Sequence, residues 1–195
     1  MKQLTAAILA LCMLVCLPCA MAENTKVMSP IQICDMLAAE GKIEFELLPA
    51  TRSMAEILER GNIPYSIAGL SRDSDYQALE VRFFPNGDTD FIMQLVLHRD
   101  DSNIELITNA LCSYEDEAAA LQICDQVNMV YYPLMCLLDE ESHTLSFYGQ
   151  TTYLRPEDAG RMMEAMFFEY IFFPALMTTI DLANSTLNTQ IDPNI

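Results

Sequence analysis

The strongest constraint on the fold is an alternation of apolar and polar side chains that fills most of the stretch between residues 62 and 113. Alternation over four to eight residues is typical of a strand with one buried face. Polar turns at 72–75 and 99–102 and the tight-hairpin signature Pro85-Asn86-Gly87-Asp88 separate four such runs: residues 63–67, 79–83, 91–97 and 104–108. Four strands in succession predict an antiparallel meander.

Helix signals precede the meander. Ser29-Pro30 supplies an N-cap followed by a proline in the first turn, and Gly41 is a stop signal, so a short helix is predicted at about 30–40. The segment 42–48 is interpreted as a strand or an extended linker. Ser53-x-x-Glu56 has the spacing of a capping box and Gly61 that of a stop, which predicts a second helix between them.

Three further elements follow the meander. Acidic residues at 115–117 favour the positive end of a helix dipole, and a helix is predicted over 118–129. Two apolar runs, 133–138 and 144–153, predict a second hairpin. Pro156 begins a long helix to about residue 180, and 181–195 is interpreted as a frayed tail. The predicted fold is a single α+β domain in which an antiparallel sheet packs a long C-terminal helix on one face.

The first 22 residues have the organisation of a secretory signal peptide. Lys2 precedes an apolar run from 4 to 17, and Ala20-Met21-Ala22 supplies a cleavage site. A retained membrane anchor is the alternative, but the run is shorter than the roughly 20 residues that a bilayer requires. We therefore expect cleavage after Ala22, a secreted or periplasmic location, and no stable membrane insertion afterwards.

Charge excludes one class of partner. The chain has 10 Lys and Arg residues against 28 Asp and Glu residues, and its formal net charge is −18. Cleavage removes one lysine and no acid, which leaves 9 − 28 = −19. Binding to nucleic acid requires a basic surface to meet the phosphates, so we expect no nucleic-acid partner. A hydrophobic fraction of 52% with 19% charged residues indicates a globular chain.

Four of the seven cysteines remain after cleavage: Cys34, Cys112, Cys124 and Cys136. Each lies among apolar neighbours, which favours buried thiols. A disulfide is the alternative, because disulfides persist outside the cytosol and four cysteines allow three pairings. The sequence leaves the pairing open.

No set of residues has the spacing of a catalytic or cofactor site. The two histidines, His98 and His143, each lie beside acidic residues at a predicted strand end, whereas zinc requires three or four clustered ligands. Asp73-x-Asp75 and Asp88-x-Asp90 resemble fragments of calcium loops but lack the twelve-residue ligand pattern. Neither Gly-x-Ser-x-Gly nor a glycine-rich phosphate loop occurs. We predict a protein that is not an enzyme and uses no cofactor or metal.

Asn128 is the polar residue with the clearest structural prediction. At 100° per residue it falls between Leu121 and Cys124 on the apolar face of its helix, where a buried amide requires partners. We predict that it pins the helix to the backbone of a neighbouring strand or turn. Contact with a ligand is the alternative.

The last helix carries the strongest prediction of a binding surface. One side has an apolar stripe that is predicted to face the sheet: Met163, Met166, Tyr170, Phe173 and Met177. Phe168 and Phe172 project onto the opposite side, close to Arg161. Two exposed phenylalanines indicate association with a protein partner or a second copy of the chain. Burial under the helix at 30–40 is the alternative.

Three motifs carry a resemblance to a known family: Met54-x-x-Ile57-Leu58-x-x-Gly61, Leu121-x-x-x-Asp125-x-x-Asn128 and Asp139-Glu-Glu-Ser-His-Thr-Leu145. With the order of elements, they resemble the YbjN-like family of sensory-transduction regulators, whose fold is similar to that of type III secretion chaperones. The resemblance covers residues 51 to about 178. We place a YbjN-like domain at 51–180, after a leader and helix at 23–50. The resemblance implies a binding or chaperone-like module without chemistry of its own.

We therefore expect a secreted or periplasmic, noncatalytic module that holds a protein partner on its sheet and helix surfaces. The alternative is a small secreted hydrolase or a ligand-binding enzyme accessory. An apolar groove without convergent polar groups favours the first function, and a pocket with clustered titratable side chains favours the second.

Overall fold

The structure is a computed structural model that describes residues 28–43, 46–70, 74–83, 91–99, 101–187, 189 and 191. The predicted signal peptide at 1–22 and the hairpin turn at 85–88 lie outside the described residues. Asp73 and the pair Asp88-x-Asp90, which resemble parts of calcium-binding loops, also lie outside the described residues.

The described chain begins with two helices and the meander. These are helices α1 (Pro30–Ala39) and α2 (Pro49–Arg60) and strands β1 (Tyr65–Ala68), β2 (Tyr76–Phe83), β3 (Phe91–His98) and β4 (Asn103–Thr108). After a short strand β5 (Cys112–Ser113) come helix α3 (Glu117–Val130) and strands β6 (Leu134–Asp139) and β7 (Thr144–Thr152). The terminal helix comprises a 3-10 turn (Pro156–Asp158), α4 (Ala159–Met163), a π segment (Glu164–Phe172) and α5 (Phe173–Thr186).

Strands β1 to β4 form the predicted antiparallel meander. Leu79 pairs with Leu95, which pairs in turn with Leu106, so the apolar side chains of the strands share one face. The described part of 42–48 contains no strand. The buried Gln77 amide holds this segment instead, since its Oε1 accepts from the Leu48 N–H at 3.0 Å and its Nε2 donates to the Glu46 carbonyl at 3.0 Å.

The predicted second hairpin, β6 with β7, is also confirmed and extends the sheet. Tyr148 of β7 pairs with Ile107 of β4 on one side and with Met135 of β6 on the other. The short strand β5 continues the β4 side of β7, an element that the sequence pattern did not predict. Between β4 and β5, the Thr108 hydroxyl accepts the Phe147 N–H at 2.8 Å, so that this donor is satisfied where the ladder is interrupted.

The described helices pack on one face of the sheet, and the predicted α+β architecture is confirmed. The Phe172 ring of the terminal helix contacts Phe83 of β2 and Phe147 of β7, with ring centroids 5.7 and 6.1 Å apart. Helix α3 lies against β6 on the same face, where Cys124 meets Cys136. The opposite face of the sheet carries no described helix.

Helix α2 begins one turn earlier than the capping box predicted. Its first residue is Pro49, whose fixed φ suits the first helical position, and no side chain caps it. Ser53 therefore lies inside the helix and has another role. Its hydroxyl donates to the Glu157 carbonyl at 2.8 Å and accepts the Gly160 N–H at 3.1 Å, which joins α2 to the start of the terminal helix.

The C-terminal residues are more ordered than the predicted frayed tail at 181–195. The helix continues to Thr186 rather than ending near Ile180. Beyond it, the Asn184 side chain accepts the Ile191 N–H and donates to the Ile191 carbonyl, each at 2.9 Å. Ile191 is therefore held against the helix by a side-chain amide.

The terminal helix Pro156–Thr186 has 31 residues and a mean hydropathy of 1.3. By length and composition alone, it could cross a membrane. Many of its apolar side chains are instead covered by the protein, among them Met163, Phe167 and Leu176. A helix in the core of a soluble domain has the same composition, so this feature needs no bilayer to explain it.

Candidate partner-binding face

The face of the sheet opposite the helices divides into a polar half and an apolar half. One row of paired residues crosses it: Ser66, Glu80, Gln94, Ile107, Tyr148 and Met135. In the polar half, Glu80 accepts hydrogen bonds from Ser66 at 3.2 Å and Gln94 at 2.8 Å. In the apolar half, Ile107, Tyr148 and Met135 lie side by side without such partners among the described contacts.

Next to this half, the segment 129–137 carries five exposed apolar side chains, which we call the apolar patch: Met129, Val130, Tyr132, Met135 and Leu137. Met129 and Val130 end helix α3, and Tyr132 lies in the turn that follows. Met135 and Leu137 project outward from β6 because alternate residues of a strand face opposite sides. Met129 is 86% exposed and Tyr132 is 84% exposed. Contiguous exposed apolar side chains of this size mark interaction surfaces in soluble proteins.

A groove of about 390 Å³ lies beside the patch. The residues that line it come from β4, β6, β7 and the turn before β6: Asn103, Tyr132, Pro133, Met135, Tyr148, Gln150, Thr151 and Thr152. This lining includes no carboxylate, imidazole, thiol, ammonium or guanidinium group. The groove thus combines apolar and aromatic walls with neutral hydrogen-bonding side chains. Such a lining suits contact with a chain segment better than acid–base chemistry.

The stretch of sequence that supplies the groove and the patch carries acidic residues but neither lysine nor arginine. Between Arg99 and Arg155 the sequence contains no lysine or arginine. The same stretch holds ten acidic residues: Asp100, Asp101, Glu105, Glu115, Asp116, Glu117, Asp125, Asp139, Glu140 and Glu141. It also supplies the residues of β4, α3, β6 and β7, which build the groove and the patch. These elements therefore carry a net negative charge, and negative charge attracts cationic groups.

Two acidic positions border the patch directly. Asp125 precedes Met129 by one helical turn on α3, and the turn after Leu137 begins with Asp139. The Ser142 side chain and the backbone N–H groups of Ser142 and Glu141 donate to Asp139 and lower the pKa of its carboxyl. This carboxylate therefore stays charged under mildly acidic conditions.

Asn128 has the predicted role of tying its helix to a strand. Its Oδ1 accepts the Cys136 N–H at 2.6 Å and its Nδ2 donates to the Cys136 carbonyl at 3.1 Å. The side chain is exposed rather than buried, which corrects the prediction on burial. The amide occupies both backbone groups that the middle of β6 presents at the outer edge of the sheet, where another strand would otherwise pair.

Phe168 and Phe172 do not form the predicted association surface. Phe168 is 9% exposed and Phe172 is 0% exposed. Phe172 lies among Phe83, Phe91 and Phe147 of the sheet, so the residues that cover it are not those of the helix at 30–40. Both rings belong to the core.

The π segment explains this error. A helical wheel drawn at 100° per residue assumes i to i+4 hydrogen bonds, whereas a π segment has more residues per turn. Residues 164–172 therefore rotate away from the expected faces. Tyr170, predicted to face the sheet, is 65% exposed, while Met163 of the same predicted stripe is buried.

The two histidines lie apart from the groove lining. His98 ends β3 with its Nε2 3.6 Å from a Glu105 carboxylate oxygen. His143 lies in the turn before β7 with a positive φ of 53°, and its ring meets that of Tyr114 edge to face. Within the described part of the chain, no three His, Cys, Asp or Glu side chains converge as metal ligands.

The sequence contained two signals for this face that the predictions did not use. Apolar residues occupy the end of α3, at Met129 and Val130, where an exposed helix end normally carries polar side chains. The second signal is the absence of lysine and arginine between Arg99 and Arg155. Together they indicate an apolar surface in an acidic field.

No family model, curated protein or solved structure matches the chain.

Proposed function

We propose that the protein is a noncatalytic binding module whose open sheet face holds a basic, partly apolar segment of a protein partner. We further propose that it acts outside the cytosol, as the sequence of residues 1–22 predicts, and in the manner of the YbjN-like family that the sequence resembles. The observation that carries the proposal is the exposed apolar patch beside a groove whose lining has no carboxylate, imidazole or thiol group.

The patch supplies the affinity of such a complex. Burial of a methionine or an aromatic side chain contributes roughly 1.5–3 kcal/mol relative to its exposed state. Tyr132 and Met135 both line the groove and belong to the patch, so a segment that enters the groove covers them together. Two such side chains are enough to act as anchors for a chain segment of modest affinity.

The acidic surroundings select the charge of the partner. A second copy of this chain carries the same net charge of −18, and like charges oppose a homodimer through this face. Lysine or arginine residues that flank an apolar anchor would instead meet Asp125 and Asp139. We therefore choose a basic protein segment, rather than a second copy, as the occupant.

The geometry favours docking on the face over addition of a strand at the β6 edge. Addition of a strand requires free backbone N–H and carbonyl groups. At Cys136 both groups are already bonded to Asn128. The outward side chains of β6, Met135 and Leu137, remain accessible.

Calorimetry of the purified chain with two designed peptides tests the proposal. One peptide alternates leucine with lysine, and the matched peptide alternates leucine with glutamate. We expect binding of the first alone, with an affinity that falls as salt is raised from low to physiological ionic strength, because salt screens exposed charges.

Variants locate the site. Tyr132→Ser combined with Met135→Ser should weaken binding of the lysine peptide at least about tenfold, which corresponds to loss of about 1.4 kcal/mol. Tyr170→Ser is the matched control, because Tyr170 is also an exposed tyrosine but does not line the groove. Equal binding of both peptides, equal effects of both variants, or a dimer that disappears on the double substitution would each overturn the proposal.

A further inference from the structure

We propose that Cys124 and Cys136 are an oxidation site and form an intramolecular disulfide by exchange with an external disulfide. All four cysteines in the described residues are free thiols in this structure. The inference goes beyond the proposed binding function and does not depend on it.

The two sulfurs are already in contact. The Cys124 and Cys136 Sγ atoms lie 3.3 Å apart within a thiol–thiol hydrogen bond. The residues are 12 apart in sequence, one on α3 and one on β6, and both are buried. Because α3 packs on this strand, the sulfurs need only a small further approach to bond.

Neighbouring contacts hold this geometry in place. Asn128, one turn after Cys124 on α3, bonds to the backbone N–H and carbonyl of Cys136 itself. The helix and the strand are therefore fixed to each other at the level of the two thiols. A site held this way needs little distortion on oxidation, and distortion is the usual reason that a cross-link fails to stabilise a protein.

The other two cysteines are less suited to pairing. Cys34 lies on α1 and is held in the core by different neighbours. Cys112, on β5, is half-buried, and its charge interacts with those of both Cys124 and Cys136. It is therefore the alternative disulfide partner that an experiment must distinguish.

The chemistry is two thiol–disulfide exchanges. When refolding or local opening exposes the pair, the Cys124 thiol loses its proton to solvent, and the thiolate attacks an external disulfide such as oxidised glutathione. A mixed disulfide forms, and one glutathione thiolate leaves and takes up a proton. The Cys136 thiol then loses its proton to solvent, and its thiolate attacks the Cys124 sulfur and releases the second glutathione as a thiolate, which takes up a proton. The protein loses two electrons and two protons, and one external disulfide is reduced to two thiols.

The hydrogen bond between the thiols suits this order of attack. It lowers the pKa of Cys124 and raises the pKa of Cys136. The thiolate is the attacking species in the exchange, so Cys124 is the first nucleophile.

Refolding tests the assignment. The reduced full chain is refolded in a buffer of oxidised and reduced glutathione, the remaining thiols are alkylated, and peptides are mapped by mass spectrometry. We expect one disulfide that joins Cys124 to Cys136 and a mass loss of about 2 Da, as two hydrogens are removed. Cys34→Ser and Cys112→Ser are the matched controls, and each should form the same bond.

A second measurement uses the wild-type chain and so does not require any variant to fold. Reduction of the refolded chain should lower its Tm by about 5 °C or more, because the bond no longer restricts the unfolded chain. A disulfide that joins Cys124 or Cys136 to any other cysteine, or alkylation of both Cys124 and Cys136 after refolding, would overturn the assignment.

Discussion

At the scale of single residues, Asn128 connects stability with the choice of binding mode. Its one amide occupies a donor and an acceptor on the β6 edge, so it stabilises the contact between α3 and β6 and prevents another strand from pairing at Cys136. The Gln77 amide bonds to the backbone of residues 46–48 in the same way. Side-chain amides therefore hold two chain segments that no strand pairing holds.

Replacement Asn128→Asp tests the role of this amide. The carboxylate keeps an acceptor for the Cys136 N–H but places a negative oxygen against the Cys136 carbonyl. We expect the free energy of unfolding in urea to fall by about 1–3 kcal/mol at neutral pH. Gln126→Glu is the control, since it adds the same charge to an exposed position of the same helix and should change stability by less than about 0.5 kcal/mol. A loss of the same size in both variants would contradict the role of Asn128.

Cys112 gives a pH-dependent prediction. Burial, with a smaller effect of Cys124, raises the pKa of its thiol to about 11. At pH 8 its reaction with iodoacetamide should be roughly a hundredfold slower than in the denatured chain and should rise about tenfold per pH unit, as the thiolate fraction rises. Because the pKa is raised on folding, this thiol stabilises the fold below its ordinary pKa of 9.0, and the stabilisation is lost as pH rises towards 11. Alkylation at pH 8 as fast as in the denatured chain would refute the prediction.

At the scale of elements, Gly160 of α4 lies where α4 packs closely against α2. A Cβ on this residue would lie 2.8 Å from both the Ser53 carbonyl carbon and Ile57 Cγ1. Gly160→Ala should therefore cost about 1–3 kcal/mol of unfolding free energy through overpacking. In Gly61→Ala the nearest atoms are the flexible Ile63 side chain at 3.3 Å, so a smaller loss is expected in the same urea titration. Equal stability of the Gly160 variant and the wild type would show that α2 and α4 are not held this closely.

The π segment makes opposite predictions for two neighbouring aromatic residues. Phe172→Ala should cost about 3–5 kcal/mol, because it leaves a cavity among the aromatic rings of the sheet. Tyr170→Ala removes an exposed side chain and should change stability by less than about 0.5 kcal/mol. Thermal or urea unfolding of the two variants decides between the π segment and a continuous α-helix, which would reverse the order.

Much of the order of elements was predictable because it depends on local signals. The alternation in the meander, the Ser29-Pro30 start and the acidic start of α3 each act over a few residues, and the structure confirms all three. The predictions of a capping box at Ser53 and of the buried and exposed faces of the terminal helix were wrong for the same reason. The contact of Ser53 with Gly160 and the presence of the π segment both depend on packing between distant parts of the chain. The periodicity of side chains along one helix does not predict such packing.

At the scale of the whole molecule, the two faces of the sheet differ in what covers them. Helices cover the inner face, while the outer face carries the outward apolar side chains of β6, Met135 and Leu137, on a stretch of sequence without lysine or arginine. The sequence predicted exposed aromatic side chains at Phe168 and Phe172, and these are buried. The actual patch joins a helix end, a turn and one side of a strand, and no single periodic pattern includes all three.

The central claim is that this outer face, and not the helical side, receives a partner. Amide chemical shifts of the isotope-labelled chain, recorded during titration with the leucine–lysine peptide, test it most directly. We predict that the largest changes fall at residues 132–137 and 148–152, with little change along α5. Changes centred on the terminal helix, or no changes at saturating peptide, would contradict the account.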